Sequence, residues 1–123
     1  MSRRIDFIIG DAHFLAALDD TPAADKLWEA LPLQSDFSVW GDEIYFSTGL
    51  DLGEGDRETV DLGDVGFWPP GTALCLFYGP TPMSGPGEIR PASEVIVLGK
   101  LQGDPKALKQ VRGRRIRVEH LPE

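Results

Sequence analysis

Between Gly63 and Ser84 the chain compresses a turn, the aromatic pair Phe67-Trp68, a stiff Pro69-Pro70 step, an apolar strand and a second proline-rich loop into 22 residues. The strand, Ala73 to Tyr78, is apolar on both faces and so must be covered on both. Turn chemistry packed this densely around one buried strand predicts a small β-barrel with an aromatic rim. Metal boxes, nucleophile elbows and phosphate loops are absent from the run.

At 123 residues the chain is read as a single domain, 1–123, with enough length for a real core. Fourteen Gly and ten Pro fall between apolar runs, the pattern of turns and not of disorder. Arg4–Ile9 and His13–Leu18 read as an opening hairpin across Gly10-Asp11-Ala12. Thr21 and Pro22 then open a helix over about 21–31, with Leu27, Ala30 and Leu31 at helical spacing and Pro32 as its stop. Strands are expected at 34–40, 43–48, 58–62, 73–78, 94–101 and 114–120. The acidic glycine-rich stretch 49–57 is expected to be a mobile loop at its centre, and 104–110 a short second helix capped by Asp104. The expected class is thus mainly β, with about eight strands and one good helix.

The net charge of −8 is unevenly spread. Residues 100–123 hold seven of the twelve Lys/Arg and three of the twenty Asp/Glu, a local balance of +4 that leaves −12 on the rest. An acidic body disfavours nucleic acid and anionic membrane as partners. Arg115, Arg117 and Glu119 alternate with Ile116 and Val118, which reads as the solvated face of a last strand. No stretch reaches the roughly 18 apolar residues of a membrane helix. With no apolar signal core behind Arg3-Arg4 and one cysteine, Cys75, the expected location is the cytoplasm. Cys75 itself reads as a small buried hydrophobe.

Catalytic constellations are thin. His13 and His120 are the only histidines, at opposite ends of the sequence, and no spacing suggests a metal or other cofactor. Ser84 and Ser93 lack a nucleophile-elbow context. The carboxylate pairs Asp42/Glu43 and Glu88/Glu94 could do acid-base work only from a dry pocket, and turn-forming acids are commoner. The richest surface is aromatic and proline-bound: Trp40, Tyr45, Phe67, Trp68 and Met83 near turns, with Glu43, Ser84, Arg90 and Ser93 as fixed polar groups. These nine are the candidate ligand-binding residues. The competing structural reading puts Phe67 and Phe77 in the core and uses Trp68 to close the barrel end against Pro69 and Pro70. An aromatic-proline step also favours a cis bond at Trp68-Pro69.

Four ordered motifs carry a resemblance: Trp40-Gly-Asp-Glu-Ile-Tyr-Phe46, Gly63-Asp-Val-Gly-Phe-Trp-Pro-Pro-Gly71, Ala73 to Ser84, and Ile89-Arg-Pro-Ala-Ser-Glu-Val95. With the helix ending Glu29-Ala-Leu-Pro-Leu33, they resemble a family of small bacterial and archaeal proteins with a cyclophilin-like fold, over roughly residues 5 to 120. The resemblance implies a closed, mostly antiparallel eight-stranded barrel capped by a helix, and carries no established activity. The peptidyl-prolyl isomerase motifs of cyclophilins proper, an Arg just after Phe-His, then Phe-Met and Gln-Gly-Gly, do not occur here. Arg90 and Met83 are the right residue types in a different context. The expected function is a binding module for a small molecule or an extended peptide at a barrel-rim cleft. An enzyme of unassigned chemistry and a prolyl isomerase are the alternatives, and a homodimer is left open.

Overall fold

A computed structural model describes residues 3–122. It forms β1 (Arg4–Ile9), β2 (Ala12–Leu18), α1 (Pro22–Ala30), β3 (Leu33–Asp36), β4 (Ser38–Val39), β5 (Glu43–Ser47), β6 (Asp64–Trp68), β7 (Ala73–Phe77), β8 (Ile96–Leu101) and β9 (Arg115–His120). Short 3-10 turns at Pro69–Gly71 and Pro105–Gln110 complete it. The strands make one antiparallel sheet in the order β3-β9-β1-β2-β8-β6-β7-β5-β4.

The two ends of that order are neighbours in sequence. The stretch expected as one strand, 34–40, divides at Phe37: β3 pairs with β9 and β4 pairs with β5. One chain segment therefore ties both edges of the sheet and nearly closes it into a barrel. That division accounts for nine strands where eight were expected; at 58–68 a strand lies in a different place. The expected strand 58–62 makes only isolated bridges, Arg57 to Val95 and Val60 to Ile89, whereas Asp64–Trp68 is a central strand between β7 and β8.

Alternation sorts the side chains into two layers. Phe7, Ile44, Phe46, Val65, Phe67, Leu74 and Leu76 point into the barrel with Leu98 and Ile116, joined by Leu27 of α1 and Leu108 of the second 3-10 turn. The acidic loop, expected to be mobile at its centre, sends Leu52 into this core at 5% exposure. A second, smaller core lies outside the wall of β5, β6 and β7, where Val60, Ala73, Cys75, Phe77 and Val95 are covered by the long loops.

The helix starts as expected: the Thr21 hydroxyl accepts from the Ala24 N–H at 3.2 Å and Pro22 occupies the first turn. The cis bond is Leu31-Pro32 and not Trp68-Pro69. Among the described residues no helix is long and apolar enough to cross a membrane.

Candidate functional site

On β5, Ile44 and Phe46 face the barrel interior, so Glu43 and Tyr45 face outward. On β6, Val65 and Phe67 face inward, so Trp68 faces outward. Register aligns these outward rows: Glu43 lies opposite Phe77, Tyr45 opposite Cys75, and Trp68 opposite Ala73. Trp40, Glu43, Tyr45 and Trp68, together with Ala92 from the covering loop, line a concavity of about 280 Å³. It sits on the outer wall of the barrel and not at a rim, and Trp68 does not plug a barrel end.

Tight turns set the four side chains. Trp40 and Glu43 close the β4–β5 hairpin through paired backbone hydrogen bonds of 2.9 and 3.2 Å. Gly41 carries φ +60° there and lies so near Thr81 and Pro82 that a Cβ would meet them at 2.8–2.9 Å. Trp68 is fixed from two sides. Its indole N–H donates to Ser93 Oγ at 2.7 Å, and its ring lies over Gly71, where a Cβ would sit 2.8 Å from Cζ3.

Glu43 is the polar centre of the concavity. It is 6% exposed, and this burial drives its carboxyl up from 4.5 to about 7; the neighbouring Cys75 thiol pulls it down only in part. Burial, then the Glu43 charge, in turn pushes the Cys75 thiol well above its ordinary value, so it is no ready nucleophile. Glu43 is the half of the Asp42/Glu43 pair held in a dry setting. Asp42 meets Lys109 at 3.5 Å.

The other candidate residues are distributed around this centre. Met83, Arg90 and Ser93 line an adjoining concavity with Glu58, Pro91 and Glu94, and Ala92 borders both. Arg90 is already engaged, its Nε donating to Glu88 at 2.8 Å, which raises its own pKa and lowers that of Glu88. Ser84 is built into the loop: its Oγ accepts the backbone N–H groups of Thr81 and Arg90, both at 2.9 Å. Phe67, 1% exposed, belongs to the barrel core and does not reach the concavity.

The two histidines do not meet, because β1 stands between their strands. His13 Nδ1 is 2.8 Å from Asp6 Oδ2, while His120 stacks on Trp28 with ring centroids 4.1 Å apart. No group of three or more His, Cys, Asp and Glu suited to a metal ion occurs among the described residues. Sequence reasoning passed over Ala92, Gly71 and Thr81. The buried Thr81 hydroxyl accepts from Met83 N–H at 3.2 Å and donates to the Arg90 carbonyl, pinning the loop beside the site.

The comparisons agree with this architecture. No curated protein matches the chain in sequence. The solution structure of a hypothetical protein from Archaeoglobus fulgidus is similar at 35% identity and a TM-score of 0.80, over 98% of this chain and 95% of that one. The family model described as cyclophilin-like matches residues 3–119, and the chain therefore belongs to the cyclophilin-like family.

Proposed function

We propose that the protein is a binding module that takes a small molecule, or a side chain of an extended peptide, into the outer-wall concavity. The observation that carries this reading is one buried carboxyl, Glu43, set among Trp40, Tyr45 and Trp68. An apolar, aromatic lining with one polar group that fixes orientation is the usual composition of a ligand site. Ser93 and Gly71 hold Trp68 before any ligand arrives, which lowers the ordering cost of binding. Arg90, Met83 and Ser93 in the adjoining concavity would extend contact to a longer ligand. The single buried cysteine suits such a module to a reducing, cytoplasmic setting.

The test is an NMR titration of labelled protein against a metabolite and peptide library. Binding at this site moves the Trp40 and Trp68 indole resonances and the amides of 43–45 and 92–93. Silence there across the library overturns the reading.

A second reading draws on one specific observation. A carboxyl held near pH 7 in a concavity is suited to general acid-base catalysis, with Glu43 as the proton-transfer group. Turnover of a bound library compound, abolished in Glu43→Gln, would favour it over simple binding. Prolyl isomerisation draws less support, since Arg90 is committed to Glu88.

A further inference from the structure

Among the described residues four polar or charged ones are buried: Asp6, Glu43, Asp64 and Thr81. Three have strong local partners. Asp6 meets His13 at 2.8 Å through Oδ2, although its Oδ1 has no partner; Asp64 accepts from the Asp61 N–H at 2.8 Å with Lys100 at 3.6 Å; and Thr81 is satisfied by backbone. Glu43 has only the neighbouring Cys75 thiol, which donates to the Ala73 carbonyl at 3.8 Å, and no Lys, Arg or His pairs with it among the described residues. Burying a carboxylate without a counter-charge is costly, so Glu43 keeps its proton up to about pH 7, and a cation seated beside it would favour the ionised form.

The walls specify the kind of cation. Three of the five lining residues are Trp, Trp and Tyr, the side chains whose π faces attract organic cations best. A bare metal ion would find one carboxylate and no cluster of oxygens. An ammonium head carrying methyl groups matches both features, being apolar at its edge and positive at its centre. The net charge of −8 draws such ligands toward the protein.

We infer that the outer-wall concavity receives the methylated ammonium head of an organic cation, with Trp40, Tyr45 and Trp68 as its walls and Glu43 as counter-ion. The inference rests on the binding reading above and adds the ligand's chemical class. The head could belong to a free small molecule or to a methylated lysine on a peptide.

Titration of ¹⁵N-labelled protein with choline, a trimethyl-lysine peptide and the uncharged choline isostere 3,3-dimethyl-1-butanol tests it. The cations are expected to bind at least tenfold more tightly than the isostere. The titratable groups around Glu43 are Cys75 on β7, Tyr45 on its own strand, Tyr78 after β7, and Asp42, which Lys109 pairs. None gives Glu43 a positive charge, so cation affinity should rise roughly tenfold from pH 6 to pH 8 as Glu43 ionises. Glu43→Gln should bring the preference over the isostere close to one. The tighter of choline and peptide identifies the source of the head. If the isostere binds as well as the cations, or Glu43→Gln keeps the full preference, the cation inference is overturned and the binding module stands. If neither probe nor library compound binds, both fall together.

Discussion

The indole N–H of Trp68 donates to the hydroxyl of Ser93 at 2.7 Å, tying the end of a central barrel strand to the loop that covers the outer wall. Ser93→Ala removes the acceptor that fixes this ring edge and should cost about 1 kcal/mol. The Trp68 indole resonance should move and its proton should exchange faster. Gly71→Ala acts on the opposite side of the ring. A Cβ 2.8–2.9 Å from Cζ3 and Cε3 would force the indole out of place, so the concavity should be lost even if the barrel stays folded. An unchanged Trp68 signal in Gly71→Ala would contradict this packing.

Glu43 predicts the pH dependence of stability. The folded carboxyl keeps its proton up to about pH 7, whereas an unfolded one releases it near 4.5. The folded state thus holds the extra proton across that window, and stability declines as pH rises through it. The loss is on the order of 3 kcal/mol between pH 5 and pH 8. Asp64, also raised by burial, adds slope of the same sign from its ordinary carboxylate range upward. Urea denaturation at both pH values should therefore show a loss of stability toward pH 8 that Glu43→Gln largely removes. The variant should be more stable than the wild type at pH 8.

How far the sequence discloses this site depends on which signals are local. Trp40, Glu43, Tyr45 and Trp68 stand beside turns that sequence chemistry marks clearly, so their residue types already suggested a surface. Their convergence depends on register, since Tyr45 faces Cys75 only because β5 and β7 pair as they do. The strand 64–68 was hidden because Gly63 and Gly66 read as turn punctuation and only Val65 and Phe67 reveal its inward face. Thr59 and Val60, with strong β propensity, drew the expected strand upstream, although Val60 only joins the outer core. Ala92 carries no chemical signal at all. Its place in the lining follows from where Thr81 and Ser84 pin the loop.

Ser84 offers a direct contrast between a nucleophile and a structural clamp. Its oxygen accepts two backbone N–H groups at 2.9 Å, so Ser84→Ala leaves both donors without a partner. A destabilisation of about 2–3 kcal/mol is expected. Faster amide exchange at Thr81 and Arg90 should accompany it. A Ser84→Ala protein as stable as the wild type would remove the clamp from the account.

The division of the 33–39 segment at Phe37 makes a prediction about both edges of the sheet. The Phe37 N–H donates to the Arg114 carbonyl at 2.8 Å at the point where the chain passes from β9 to β5. Phe37→Ala removes a partly buried side chain and keeps this bond; Phe37→Pro removes both. The difference between the two variants should be about 1–3 kcal/mol, measured by chemical denaturation. Because one segment ties two edges, Phe37→Pro should speed amide exchange in β9 and in β5 alike, although these strands lie next to opposite ends of the pairing order. Faster exchange confined to β9 would mean that β4 holds its edge independently, and that closure does not depend on the continuity of this segment.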